Sequence, residues 1–289
     1  MKKLIAMLLA ISLFCTVIVA FAEGPGSGRG GNGRHGDGQG SVHRGNGGGT
    51  DKSSDTTNDD KSINSTEKTQ YGSIEYNYSD DVSKELNYLL YVPDRVDQAD
   101  LPLIVYLHGG SGRGNDLSKI VSGNSFPRFI KDDSLGNIAA YVLAPQCPAD
   151  DNSWIDVSDE VFALIDKVTQ EKAIDKNKII LTGHSLGGAG AWNIALKQPE
   201  LFSCIVPMSG KIIDSEENRT ALAKTPIWAF VGENDTVVNP IYSITFCEEL
   251  QKTNPEVKCT VFENAGHSDV PKLAWLDKEI ALLDWMLSQ

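Results

Sequence analysis

Basic residues are the minority charge in this chain. It has 26 Lys and Arg against 39 Asp and Glu, a formal net charge of −13 at pH 7. Lys2 and Lys3 contribute +2 and residues 23–70 carry six basic and seven acidic groups, which leaves about −14 for residues 71–289. A surface of that sign repels phosphate backbones and anionic bilayers, so it argues against nucleic acid and membrane-surface partners. Phosphate cradles are missing as well. There is no G-x-x-x-x-G-K-[ST], and the glycine loop at 109–114 has no G-x-G-x-x-G opening a helix. Only five cysteines occur, and Cys15 lies in an apolar N-terminal run. Cys147, Cys204, Cys247 and Cys259 remain. Cys247 and Cys259 are the pair best placed to bridge, but nothing in the spacing requires it. No His, Cys and carboxylate grouping has metal-ligand spacing, so neither a metal nor a cofactor is implied. Histidine is equally scarce: His35, His43, His108, His184 and His267 are the full set.

What the chain does have is Gly183-His184-Ser185-Leu186-Gly187-Gly188. The apolar stretch Lys178-Ile179-Ile180 precedes it, and a small-residue helical pattern from Ala189 to Leu196 follows. Strand, sharp turn and helix with Gly-x-Ser-x-Gly at the turn form a nucleophile elbow. Its glycines allow a strained serine and a close strand–helix approach. Ser185 is therefore the candidate nucleophile. A serine hydroxyl needs a base, and the base needs an orienting acid. His35 and His43 lie in a glycine-rich segment, and His108 and His184 sit inside glycine motifs. His267, in Asn264-Ala265-Gly266-His267-Ser268, remains as the base.

The acid should follow a strand and precede the histidine. Pro226 to Val231 reads as a buried parallel strand, and it runs into Gly232-Glu233-Asn234-Asp235. Asp235 is the favoured acid, with Glu233 and Asp214 as rivals. An oxyanion hole needs converging backbone N–H groups. Leu186, directly after the nucleophile, supplies one. The loop His108-Gly109-Gly110-Ser111-Gly112 after the strand Leu103–Leu107 supplies the other, with Gly110 favoured and Gly109 and Ser111 as its neighbours. Gly109, Ser111 and Trp154 are candidate pocket residues, although Trp154 fits a core position equally well.

The order Ser185, Asp235, His267 behind Leu107-His108-Gly109-Gly110 resembles the α/β-hydrolase superfamily. Tyr91-Val92-Pro93, Ala144-Pro145-Gln146-Cys147-Pro148 and Leu283-Asp284-Trp285-Met286 extend the likeness. It is to secreted polyhydroxybutyrate-depolymerase-like and feruloyl-esterase-like carboxylesterases, some of whose relatives are described as predicted peptidases. The likeness runs from about Tyr71 to Gln289. It implies a serine carboxylesterase acting through an acyl-enzyme on a small-molecule or polymer-linked ester. A peptidase of the same fold and an inactive surface-tethered binding module are the alternatives. Oligomeric state is not legible.

Three segments are expected. Residues 1–22, with Lys2-Lys3, a long apolar run and Ala20-Phe21-Ala22, read as a secretory signal peptide, with an uncleaved anchor as the rival. This makes the protein secreted or cell-surface, with no membrane contact after cleavage. Residues 23–70, rich in glycine and then in Ser, Thr and Asp, read as a disordered tether. Residues 71–289 read as one α/β domain with a mostly parallel eight-stranded sheet and helices on both faces. Its strands are expected at 73–78, 86–92, 103–107, 139–144, 178–182, 202–207, 227–231 and 259–262. Helices are expected near 157–171, 186–197, 240–251 and 272–287. The first strands lack intervening helices and should be antiparallel. About seventeen residues separate Ser209 from Pro226, too few for a large cap domain, so the site should be open.

Overall fold

The computed structural model describes residues 64–81, 85–94, 100–151 and 153–289, all within the unit Thr56–Gln289. The expected signal peptide and the expected tether up to residue 63 lie outside the described residues. Nine strands form one sheet: β1 (Ser65–Lys68), β2 (Gly72–Asn77), β3 (Tyr88–Pro93), β4 (Leu101–Leu107), β5 (Tyr141–Pro145), β6 (Ile174–His184), β7 (Cys204–Met208), β8 (Ile227–Gly232) and β9 (Val257–Phe262). Their order across the sheet is β1-β2-β3-β5-β4-β6-β7-β8-β9. The pairs β1–β2, β2–β3 and β3–β5 are antiparallel, and every pair from β5 to β9 is parallel.

Among the described residues the strand set therefore has nine members rather than eight. The extra one, β1, falls inside residues 23–70, so the folded domain begins before residue 71. β1 is an exposed, polar edge strand. Tyr76 on β2 donates to Glu67 at 2.9 Å, and Lys131 pairs with the same carboxylate at 2.8 Å.

Alternation along the strands explains the layers, because successive side chains point to opposite faces. Leu103, Val105 and Leu107 of β4 enter one core, while Ile104 and Tyr106 enter the other. The first core is closed by α2 (Ser158–Glu171), α3 (Leu186–Lys197) and α5 (Ile241–Leu250). The second is closed by α1 (Phe126–Lys131), α6 (Val270–Leu276) and α7 (Leu282–Ser288). The single terminal helix expected over 272–287 is thus two helices. They are separated at Asp277–Ala281, where Ala281 takes a left-handed φ of 48°. Between β7 and β8 the interval expected to lack a cap holds only a short helix, α4 (Glu216–Ala221).

All four described cysteines are thiols, so the Cys247–Cys259 bridge is not formed. The two thiols, on α5 and β9, interact, which raises the pKa of Cys247 and lowers that of Cys259. Among the described residues no helix is long and apolar enough to cross a membrane.

Candidate active site

The chain leaves β4 toward β5 and leaves β6 toward β7, and β4 and β6 are neighbours. The loops after these two strands therefore part company, opening a crevice at their carboxyl ends, where open α/β sheets bind ligands. Leu107 pairs with Gly183 at the end of that ladder, so the glycine loop and the elbow emerge side by side. Ser185 has φ 60° and ψ −117°, a strained backbone for a residue with a side chain. Its amide donates to the Met208 carbonyl at 2.9 Å, which helps hold the turn. A Cβ at Gly187 would overlap the Leu107 carbonyl, and one at Gly183 would overlap the Gly187 carbonyl. The elbow can be this tight only with glycine at both positions.

Ser185, His267 and Asp235 come together although they are far apart in sequence. The Ser185 hydroxyl lies 2.8 Å from His267 Nε2, and His267 Nδ1 lies 2.7 Å from Asp235 Oδ2. A carboxylate can only accept, so Nδ1 carries the proton and Nε2 is left to accept from the serine. Asp235 is buried, and burial is the largest single influence on its carboxyl, acting against ionisation. The amides of Val238 and Val237, which donate to Oδ1 at 2.9 and 2.8 Å, outweigh it together with His267. The net result is a pKa below the usual carboxylate range.

The rival acids are engaged elsewhere. Glu233 is exposed and accepts from the Asn264 amide at 2.9 Å. Asp214 pairs with Arg219. Glu233 thus helps hold the histidine loop. That loop is also pinned by Asn234 N–H on the Ala265 carbonyl at 2.9 Å and by Asn124 Nδ2 on the Ser268 carbonyl at 2.9 Å.

Leu186 opens α3, so its N–H has no helical carbonyl to bond and points out of the helix N-terminus. Gly109 lies against the serine, with a hypothetical Cβ there only 3.5 Å from Ser185 Cβ. Gly110 and Ser111 are exposed beyond it, at the start of a 3-10 turn over Gly110–Gly112. A cleft of about 320 Å³ lies next to Ser185 and His267, lined by their neighbours His184 and Ser268 and by Gly109, Ser111, Lys119 and Asn124 among others.

Trp154 does not line it. Its side chain is 0% exposed, and its Nε1–H donates to the His108 carbonyl at 3.0 Å. The indole supports the glycine loop from the core, which corrects the pocket assignment. Two further supports hold the loop: His108, whose place in it suits a structural hydrogen-bonding residue rather than a catalyst, and Gln146, which the sequence does not single out. His108 Nε2 accepts from the Cys147 amide at 3.0 Å, and Nδ1 then donates to the Gly109 carbonyl at 2.7 Å. Gln146 Nε2 donates to the carbonyls of Gly112 and Asp116, each at 2.8 Å. The segment Ala144-Pro145-Gln146-Cys147-Pro148 is therefore a clamp on the glycine loop. Burial pushes the His108 pKa down to about 4, so it stays neutral. Among the described residues no group of three His, Cys, Asp or Glu could hold a metal ion.

This architecture is the α/β-hydrolase fold, with its serine, histidine and carboxylate at the carboxyl ends of the parallel strands. Residues 141–277 match the phospholipase/carboxylesterase family. The chain is 29% identical over 136 residues to the "Probable feruloyl esterase C" of Aspergillus oryzae, covering 45% of this chain and 48% of that protein. It is 33% identical over 115 residues to the "AB hydrolase superfamily protein YfhM" of Bacillus subtilis, covering 38% of this chain and 36% of that protein. The structure of a thermostable esterase superposes with a TM-score of 0.60 at 26% identity, covering 78% of this chain and 62% of the other. The chain thus spans about half the length or less of these curated relatives. The chain has the α/β-hydrolase fold, and its likenesses are to proteins of the esterase type.

Proposed function

We propose that the protein is an exported serine carboxylesterase, cleaving bulky or polymer-linked esters through an acyl-enzyme on Ser185. The observation that carries this reading is the relay Ser185 Oγ, His267 Nε2 and Nδ1, Asp235 Oδ2, with gaps of 2.8 and 2.7 Å. In the proposed cycle His267 Nε2 takes the Ser185 proton as Oγ attacks the ester carbonyl carbon. Amides at Gly110 and Leu186 hold the resulting oxyanion. Asp235 stabilises the imidazolium. As the carbon–oxygen bond to the alcohol breaks, His267 returns its proton to the leaving alkoxide. Water, deprotonated by the same imidazole, then attacks the acyl-enzyme. Ser185 regains its proton and the carboxylic acid leaves.

Export rests on the N-terminal pattern of Lys2-Lys3, apolar run and Ala20-Phe21-Ala22. The preference for bulky substrates is supported by the short interval between β7 and β8, where α4 alone stands in place of a cap. The test is a hydrolysis panel of short acyl, feruloyl, acetyl-xylan and polyhydroxyalkanoate esters beside matched amides, run with Ser185→Ala. Ester turnover that vanishes in the alanine variant and far exceeds amide turnover is expected. Amide turnover equal to ester turnover would make the protein a peptidase. No turnover of either would make it a binding module.

A further inference from the structure

His184 sits between the strand and the nucleophile, at the last position of β6. Its imidazole does not point idly into a glycine motif. Nε2 lies 2.9 Å from the main-chain carbonyl of His267, and the two rings lie 4.7 Å apart, tilted by 42°. A carbonyl only accepts, so His184 Nε2 carries a proton and donates it. Burial, followed by the neighbouring His267, pushes the His184 pKa down to about 4. The ring is therefore neutral when His267 becomes an imidazolium during turnover, and it adds no repulsion there. The contact links the two reacting groups over a short path, because Ser185 is the next residue and His267 is the base it meets. The histidine loop has other ties, through Glu233, Asn234 and Asn124, but they reach Asn264, Ala265 and Ser268. The bond from His184 goes to His267 itself.

We propose that His184 is a positioning residue that holds the His267 main chain so that its Nε2 stays on the Ser185 hydroxyl. This inference rests on the triad reading of the site. A positioning bond should be worth about ten- to a hundredfold in kcat, because sub-ångström misplacement of a base degrades proton transfer steeply. It should leave KM unchanged, since the substrate is not the partner.

The experiment measures kcat and KM with p-nitrophenyl butyrate for the full chain, alongside thermal unfolding. Ser185→Ala is the reference for the triad. His184→Phe keeps a ring against His267 and removes the donor. His184→Gln keeps a donor at similar reach. Each is also made in a His267→Ala background. The expected result is a ten- to hundredfold lower kcat with unchanged KM for His184→Phe, recovery to within about threefold for His184→Gln, and less than about twofold effect of either once His267 is gone. His184→Leu, equally unable to donate, replaces the phenylalanine variant if that one does not fold. An unchanged kcat, a raised KM in its place, a glutamine variant as impaired as the phenylalanine one, or an equal loss in the His267→Ala background would each overturn the inference. Undiminished activity in Ser185→Ala would overturn the triad and the inference with it. An active triad indifferent to His184→Phe overturns the inference alone.

Discussion

Replacing Asp235 with asparagine changes one oxygen for an NH₂ group in a site that specifies where each atom must point. Asp235 Oδ1 accepts two amides, from Val237 at 2.8 Å and Val238 at 2.9 Å. An asparagine must keep its oxygen there, because turning the NH₂ toward two N–H donors would leave three donors facing one another. Its NH₂ then faces His267 Nδ1 at the position of Oδ2, 2.7 Å away. Nδ1 must accept, so the imidazole proton moves to Nε2 and points at the Ser185 hydroxyl. The base is now in the wrong tautomer and cannot take the serine proton. The same exchange in other serine triads costs about 10⁴ in kcat. A loss of 10³–10⁴ corresponds to roughly 4–5.5 kcal/mol of barrier at about 1.36 kcal/mol per decade. Glu233→Gln and Asp214→Asn touch only the Asn264 amide and Arg219, and each should cost about tenfold or less. The assay is kcat on one activated ester at neutral pH, with folding checked by circular dichroism. An Asp235→Asn variant within tenfold of wild type would refute the reasoning, and a crippled Asp214→Asn beside it would move the acid to the loop after β7.

The buried histidines give the fold a pH dependence. His108 and His184 have pKa values pushed down to about 4, chiefly by burial, against roughly 6.5 in an unfolded chain. Between these values the unfolded state binds more protons, so their contribution is present above about pH 6.5 and lost as pH falls toward 4. The slope is up to roughly 1.4 kcal/mol per pH unit for each. Urea midpoints measured from pH 7 to 4.5 should fall steeply, and His184→Gln should flatten the fall; an unchanged slope in that variant contradicts the assignment. Gln146→Leu removes both side-chain bonds to Gly112 and Asp116 and should lower kcat roughly tenfold by loosening the glycine loop, with thermal unfolding as the control. Undiminished kcat would show that the loop holds without the clamp. Deleting residues 23–63 should leave kcat/KM on small soluble esters unchanged, whereas extending the deletion to residue 70 removes β1 and should lower Tm by a few degrees. Equal Tm values for the two truncations would show that β1 adds nothing to the sheet.

The sharp bend at Ser185 and the buried strands are legible in the sequence, whereas the polar edge of the sheet is not. The elbow could be read because its strain needs glycine at Gly183 and Gly187, and glycine is visible in a sequence. The parallel strands were legible because buried strands are continuous apolar runs, such as Leu103–Leu107 and Ile227–Val231. β1 was missed because an exposed edge strand of Ser, Thr, Glu and Lys carries no apolar pattern. The break at Asp277–Ala281 was missed because no glycine or proline marks it. Trp154 was ambiguous because an indole can serve a pocket or a core, and only its burial decides. His184 reads in sequence only as part of a glycine motif, since its partner is a main-chain carbonyl 83 residues away, which leaves no trace in local sequence.

The central claim is that Ser185 forms the covalent intermediate. The most direct measurement is intact-mass spectrometry after treatment with a fluorophosphonate, followed by peptide mapping, for wild type and Ser185→Ala. A single adduct on wild type, mapped to Ser185, and none on the alanine variant are expected. An adduct on another residue, or equal labelling of both proteins, would contradict it.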